Sequence, residues 1–155
     1  MAVEQRDDVV ERVVRVDASP ETVFEFFVDP TKMTRWKGRR AELDPRPGGI
    51  YRVEISDEAI ARGEYVTVEP PTQVSFTWGW EGQESGPHAV KPGSSRVEVT
   101  LEPDGDGTLV RLRHFDLPAE ARAIHGHGWD VFLGRLEDVL AGREPRPVPP
   151  PESNS

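Results

Sequence analysis

The chain has 155 residues, with 28 acidic and 19 basic side chains and a formal net charge of −9. This length suits one domain with a single core, and the acidic balance opposes non-specific binding to nucleic acid or to an anionic membrane surface. The sequence contains no cysteine, which excludes disulfides, thiolate nucleophiles and cysteine-ligated metals.

The first third of the chain predicts one strand and two short helices. Residues 9–16 are rich in valine interrupted by charged residues, a pattern typical of a strand with one buried face. Residues 19–21, Ser-Pro-Glu, provide an N-cap, a proline for the first helical position and an acid near the positive end of a helix. Asp29-Pro30 ends this helix, and we expect a second helix over residues 30–36.

Beyond the second helix the period of the apolar residues changes from 3.6 to 2 and stays so for about eighty residues, which predicts consecutive antiparallel strands. The alternation is clearest at 51–55, 73–80, 96–102 and 110–114. The sequence DGDG at 104–107 is interpreted as a hairpin turn, because its glycines accept positive φ angles and the other ligands of a calcium loop are missing.

A long C-terminal helix is predicted to begin at residue 117 and to end before Gly142. Its apolar residues share one face, with His125 in the middle of that face and His127 on the polar side. Residues 143–155 are rich in proline, cannot continue the helix and are expected to form a disordered tail.

The sequence HGHG at 125–128 raises the question of a metal site. Because two histidines separated by one residue point to different sides of a helix, we do not expect His125 and His127 to bind one metal ion. Gly126, Gly128 and Gly134 each cost the helix about 1 kcal/mol relative to alanine. We interpret them as places where the helix backbone closely approaches a sheet or a bound molecule.

Five stretches of the sequence, in order, resemble one known family. They are SPETVFEFFVDPTKMTRW (19–36), DPRPGGIYRVEI (44–55), GEYVTVEPPTQVSFTWGW (63–80), SSRVEVTLEPDGDGTLVRLRH (94–114) and HGHGWDVFLGRLEDVL (125–140). The combination of EPP followed by FTW, and later H-x-x-G-W-x-x-x-L-x-x-L, resembles the AHSA-type family, named for the activator of heat-shock-protein ATPase. That family belongs to the START-like or SRPBCC helix-grip superfamily. The resemblance covers one domain at 9–142, preceded by a segment, 1–8, that we expect to be flexible.

The resemblance implies an α+β helix-grip fold, in which a curved antiparallel sheet wraps around the C-terminal helix and encloses a hydrophobic cavity. It implies less about activity, because members of the superfamily bind lipids, polyketides or hormones, and some are cyclases or hydrolases. The activator that names the family also has a separate N-terminal domain that engages its chaperone. We expect no such domain in this chain, which weakens the case for direct chaperone activation.

Aromatic residues alternate along the strand at 73–80 and recur in the C-terminal helix, so the interior is either a filled core or a lined cavity. The residues predicted to contact a ligand are Trp36, Tyr51, Phe76, Trp78, Trp80, His114, His125, Trp129 and Phe132. No catalytic residue, metal ligand or cofactor site is predicted.

Two histidines raise the alternative of catalysis. His114 and His125 would polarise a carbonyl or move a proton if they faced one space, with Tyr51 or Tyr65 supplying a hydroxyl. Otherwise each histidine satisfies a backbone group at the edge of the cavity. No serine triad order, phosphate loop or dinucleotide fingerprint is present, which speaks against those enzyme classes.

Two polar segments add further candidates. Residues 81–95, which include His88, are longer than a hairpin needs and predict either a lid or an ordinary loop. The basic run over residues 32–40, which includes Lys37, is interpreted as a solvated face or as a receptor for an acidic partner or a ligand carboxylate.

The sequence therefore predicts a protein, monomeric or homodimeric, that binds a small apolar molecule, with Trp78, Trp80, Trp129 and Phe132 around it. A co-chaperone or interaction module with a chaperone partner is the alternative, and a cyclase or hydrolase is a third. We expect a cytoplasmic location, because the N-terminal segment is charged and no run approaches the roughly 18 apolar residues of a membrane span.

Overall fold

The computed structural model describes residues 9–82 and 89–148. Its strands form one curved seven-stranded antiparallel sheet in the order β1-β7-β6-β5-β4-β3-β2. The strands are β1 (Val10–Val16), β2 (Arg40–Leu43), β3 (Ile50–Glu54), β4 (Ile60–Glu69), β5 (Gln73–Trp78), β6 (Ser95–Asp104) and β7 (Gly107–Phe115). The helices are α1 (Pro20–Val28), α2 (Pro30–Trp36) and α3 (Arg122–Leu140). The helix-grip fold predicted from the sequence is confirmed.

The two short helices begin and end where the sequence predicts. The Ser19 hydroxyl accepts a hydrogen bond from the backbone N–H of Thr22 at the start of α1. Asp29 ends α1 and caps α2, because its carboxylate accepts the backbone N–H groups of Thr31 and Lys32 at 2.9 and 3.2 Å. The apolar face of α1 packs against β6 and β7, whereas α2 packs against β2 and α3.

The sequence predicted only some of the antiparallel strands of the sheet. The hairpin at DGDG is confirmed, since Asp104 pairs with Gly107 and Gly105 has a φ of 62°. The pattern did not identify β2, which is short and largely exposed, or β4 as a separate strand. A register shift between Tyr65 and Thr67 interrupts the alternation in β4, which is the physical reason that its period is hard to read.

The C-terminal helix crosses the sheet and packs on β1 and α2. It begins at Arg122 rather than at residue 117, because Pro118 is extended and residues 119–121 form a 3₁₀ turn. Its end agrees with the prediction, since Gly142 adopts a φ of 79° just beyond the last turn. Within residues 9–82 and 89–148, no helix is long and apolar enough to cross a membrane.

Residues 143–148 lie against α3. The Asp138 carboxylate accepts hydrogen bonds from the Arg143 side chain and from both the backbone and the side chain of Arg146. Arg146 fits there because Gly134 has no side chain: a Cβ at that position would lie 2.8 Å from the Arg146 guanidinium. The remaining part of the predicted tail, 149–155, and the predicted flexible segment, 1–8, lie outside the described residues.

Candidate functional site

A cavity of about 330 Å³ lies between α3 and the end of β5. Its walls are predominantly apolar and include three tryptophans and a phenylalanine, and the exposed Ile124 lies at its edge. The residues around it are Lys37, Ile55, Trp78, Trp80, Glu120, Ala121, Ile124, His125, Gly128, Trp129 and Phe132. A second depression of about 550 Å³ is lined mainly by glycine, proline and charged residues, and it contains none of the predicted ligand contacts.

The helix backbone forms part of the cavity wall at Gly128. A Cβ at this position would meet no atom within 4 Å. Gly126 differs, because a Cβ there would lie 2.6 Å from the Arg12 guanidinium, which reaches across from β1 to bind Asp130. Gly126 and Gly134 thus leave room for arginines, whereas Gly128 keeps one side of the cavity open.

Lys37 lines the cavity but is not among the predicted ligand contacts, although its basic run was also interpreted as a receptor for a ligand carboxylate. It stands at the end of α2 and is only 3% exposed, so the interpretation of this position as part of a solvated basic run was wrong. Its Nζ lies 3.3 Å from the Tyr51 hydroxyl and 4.2 Å from the centroid of the Trp129 ring. Within the described ranges, no carboxylate lies within ion-pair distance of Nζ. Burial lowers the pKa of Lys37 to about 7.

His114 is buried and forms the centre of a hydrogen-bond chain. The indole N–H of Trp129 donates to His114 Nδ1 at 3.0 Å, so this nitrogen carries no proton. His114 Nε2 therefore donates to Ser95 Oγ at 2.8 Å, and the Ser95 hydroxyl donates to the carbonyl oxygen of Trp78. Burial lowers the pKa of His114 well below its ordinary value. Both of its ring nitrogens are thus committed to protein partners in the neutral form.

His125 is likewise held by two neighbours. Its Nε2 accepts the indole N–H of Trp80 at 2.9 Å, and its Nδ1 donates to the carbonyl oxygen of Ala121 at 2.8 Å. Burial lowers the pKa of His125, and the hydrogen bond to Ala121 opposes that shift. His127 is exposed, so the two histidines of HGH point apart as helical spacing predicts. No group of side chains in the described part of the chain is arranged to hold a metal ion.

Trp78 carries an unsatisfied polar group. Its ring packs edge-on against Trp80, His114 and His125, with centroid distances of 4.6, 5.0 and 5.3 Å. Its buried indole N–H has no hydrogen-bond partner among the described residues. An unpaired buried donor costs about 1–3 kcal/mol, so this N–H is a local cost to the stability of the domain.

The predicted ligand contacts divide into two groups. Trp78, Trp80, His125, Trp129 and Phe132 line the cavity. The other four, Trp36, Tyr51, Phe76 and His114, are core residues outside its lining.

The core aromatics have partners of their own. The Trp36 indole donates to the carbonyl oxygen of Phe26, and Phe76 stacks on Tyr51 with ring centroids 4.0 Å apart. The Tyr65 hydroxyl, the alternative partner for a histidine, donates to the carbonyl oxygen of Phe27 instead. Trp36, Phe76 and Tyr65 thus support the walls of the cavity from the core, whereas the Tyr51 hydroxyl reaches Lys37 in the lining.

The candidate lid is described in part. Its central residues, 83–88, lie outside the described residues, and His88 is one of them. The following residues pack against the domain: Val90 is buried, and its carbonyl oxygen accepts the backbone N–H of Trp80 at 2.7 Å. This contact holds the end of the loop against Trp80, which follows β5 and lines the cavity.

Comparison with known families gives one match over most of the chain. Residues 17–141 match the model described as activator of Hsp90 ATPase homolog 1-like protein. No match was found among the curated proteins.

Solved structures share the fold. An AHSA1-like protein from Rhizobium etli is 45% identical, with a TM-score of 0.70 over 91% of this chain and 86% of that chain. DynU16, from the dynemicin biosynthetic locus, is 27% identical, with a TM-score of 0.75 over 92% of this chain and 51% of that chain. This chain therefore spans about half the length of DynU16. An Hsp90 activator from Plasmodium falciparum is 23% identical, with a TM-score of 0.70 over 86% of this chain and 96% of that chain, and this likeness concerns the fold alone.

Proposed function

The chain belongs to the activator of Hsp90 ATPase homolog 1-like family, and we propose that it binds a small, mainly apolar molecule between the sheet and α3. The observation that carries this proposal is the aromatic cavity of about 330 Å³. This volume lies at the lower end of the roughly 300–1,000 Å³ typical of ligand sites. The similarity to DynU16, a protein of a biosynthetic locus, also supports a small-molecule ligand.

The cavity favours a flat ligand with one hydrogen-bond acceptor. Trp78, Trp80 and Trp129 offer ring faces and edges against which an aromatic or polyunsaturated ligand packs well. Lys37 lines the cavity and is a donor, so it suits a carbonyl, phenol or carboxylate oxygen. His114 and His125 are occupied by protein partners, and we therefore assign the orientation of the ligand's polar group to Lys37 rather than to the histidines.

Native mass spectrometry of the freshly purified protein tests this proposal, followed by organic extraction and identification of what is released. Titration with single-ring and two-ring aromatic compounds, monitored by tryptophan fluorescence, gives a second readout, because three of the four tryptophans line the cavity. We expect either a stoichiometric adduct or saturable quenching by at least one compound.

Gly128 provides a matched pair of variants. Gly128→Leu places a side chain where nothing lies within 4 Å and fills the cavity, whereas Gly128→Ala adds only one methyl group. We expect the leucine variant to lose binding at least about tenfold, equal to about 1.4 kcal/mol, and the alanine variant to retain most of it. Absence of both an adduct and quenching would overturn the proposal. Salt-sensitive co-purification of a chaperone that Gly128→Leu leaves unchanged would favour the interaction module instead.

A further inference from the structure

Lys37 differs from most lysines, whose amino groups lie in solvent. Its side chain is almost completely buried, it lines the cavity, and within the described residues it has no carboxylate partner. Its Nζ is surrounded by the rings of Tyr51, Trp78 and Trp129, at centroid distances of 5.9, 5.7 and 4.2 Å. Such an aromatic environment excludes water and disfavours the charged ammonium. The neutral amine has a free lone pair and is a nucleophile.

Tyr51 supplies the second group that amine chemistry requires. Its hydroxyl lies 3.3 Å from Lys37 Nζ. Burial raises the pKa of Tyr51 well above its ordinary value, so the phenol stays protonated and remains a proton donor. A neutral amine beside a protonated phenol is the pairing that condensation with a carbonyl needs, because one group attacks carbon and the other assists the departure of oxygen.

We propose that Lys37 captures an aromatic aldehyde or ketone in this cavity as a reversible imine, with Tyr51 as the proton donor. Nζ adds to the carbonyl carbon to form a C–N bond, and one amine proton passes to the carbonyl oxygen. The C–O bond then breaks, the oxygen leaves as water with the second amine proton, and a C=N bond remains. The phenol relays these protons and is regenerated. No oxidant, reductant or metal takes part.

This inference rests on the proposed ligand function of the same cavity and specifies the class of ligand. Other titratable groups face the amine from the neighbouring elements: His125 from α3, His114 from β7 and Tyr51 from β3. Both histidines are neutral and hydrogen-bonded to other groups, so neither competes with Tyr51 as the proton donor. Glu120 also lines the cavity, but it makes no ion pair with Lys37.

Reductive trapping of the full-length protein tests the proposal. The protein is incubated at neutral pH with 2-naphthaldehyde and sodium cyanoborohydride, and the modified residue is identified by peptide mass spectrometry. The chain has only three lysines, Lys32, Lys37 and Lys91, so the two others and the N-terminal amine serve as internal references. We expect Lys37 to be labelled at least about tenfold faster than either reference lysine, because binding places the carbonyl beside it.

Three variants distinguish imine formation at Lys37 from simple binding of the naphthalene ring in the cavity. Lys37→Met should remove the fast label. Quenching by 2-naphthylmethanol, the matched alcohol without a carbonyl, should remain saturable, with an affinity lowered by up to about tenfold because the hydroxyl loses its hydrogen bond to Lys37. Tyr51→Phe should slow trapping at Lys37 by about tenfold or more, with little effect on binding of the alcohol. Lys32→Met, an exposed control, should change neither measurement.

The outcomes distinguish the inference from the function on which it rests. Saturable binding of the alcohol together with equal labelling of all three lysines would overturn imine capture and leave the ligand-binding function intact. Absence of binding by both naphthalene compounds, with uniform labelling, would count against the function and the inference together. Fast labelling of Lys37 that persists unchanged in Tyr51→Phe would overturn the role of the phenol.

Discussion

The Nζ atom of Lys37 lies 4.2 Å from the centroid of the Trp129 ring, so the end of α2 meets the middle of α3 through an amino group and an aromatic face. In its charged form the amino group would gain roughly 0.5–2 kcal/mol from this contact. Burial of an ammonium without a carboxylate partner costs several kcal/mol, which exceeds that gain. The balance favours the neutral amine and explains why the pKa of Lys37 falls to about 7.

Lys37→Met should stabilise the protein at neutral and lower pH, because it replaces a buried amine by an apolar side chain of similar length. The expected gain is about 1–4 kcal/mol at pH 6, measured as the free energy of unfolding in urea. A functional amine kept at the expense of stability would explain such a gain.

The difference in stability between the wild type and Lys37→Met should depend on pH, and the direction of that dependence follows from the pKa of Lys37. Above about pH 7 the unfolded chain still binds a proton on Lys37 that the folded protein has lost, so the wild-type stability rises with pH. The slope reaches about 1.4 kcal/mol per pH unit, and Lys37→Met should abolish it between pH 7 and 9. Lys32→Met, which removes an exposed lysine paired with Glu25, should shift stability by less than about 1 kcal/mol at every pH. A Lys37→Met variant less stable than the wild type at pH 6 would contradict this account.

His114 should make the protein sensitive to acid. Its pKa in the folded protein is well below the ordinary 6.5 because of burial, so below pH 6.5 the unfolded chain gains a proton that the folded protein does not accept. Stability therefore falls with decreasing pH, by up to about 1.4 kcal/mol per unit for this residue. His125 adds to the same effect, since burial lowers its pKa too.

His114→Leu is the corresponding test. At pH 7.5 it should cost about 1–3 kcal/mol, because the indole N–H of Trp129 loses its acceptor. Between pH 7.5 and 5.5 it should lose less stability than the wild type does, as measured by urea unfolding at the two values. His127→Gln alters an exposed histidine and should reproduce the wild-type loss. An equal loss in His114→Leu and the wild type would show that another group controls acid sensitivity.

The sequence predicted those parts of the fold that depend on local chemistry. The caps at Ser19 and Asp29 define α1 and α2, and the left-handed Gly142 marks the end of α3. These signals act within a few residues and leave a readable pattern. The strand β4 was missed because its register shift arises from pairing with β5, which is not a local property.

The site was harder to predict than the fold, for a geometric reason. Alternation along β5 places Phe76 and Trp78 on the same face of the sheet, but it does not show how far along the strand the cavity lies. Phe76 therefore lies in the core and stacks on Tyr51, whereas Trp78 lines the cavity. Lys37 was read as solvated because its burial depends on α3, a helix from the other end of the chain that covers it.

Gly128 and Gly126 should respond differently to alanine. Gly128→Ala meets no neighbouring atom and should raise stability by up to about 1 kcal/mol through helix propensity. Gly126→Ala gains the same propensity but displaces the Arg12 guanidinium from Asp130, so its net gain should be smaller or negative. Thermal unfolding of both variants, each alone and combined with Arg12→Ala, checks this. In the Arg12→Ala background the two alanines should become equivalent, and a persistent difference would assign the cost to another contact.

Asp138 should hold residues 143–148 against α3. Its hydrogen bonds with the Arg146 and Arg143 side chains keep its pKa well below the ordinary value. The carboxylate therefore stabilises this arrangement at neutral pH, and its contribution disappears only as the pH falls below the ordinary carboxylate range.

Asp138→Asn should accelerate tryptic cleavage after Arg143 in the otherwise folded protein, since the segment is released from the helix. Glu137→Gln removes one negative charge from the adjacent position and should leave the rate near that of the wild type. Equal cleavage rates in the wild type and Asp138→Asn would show that other contacts hold the segment. The first candidate is the hydrogen bond that the Arg135 side chain donates to the backbone carbonyl oxygen of Arg146.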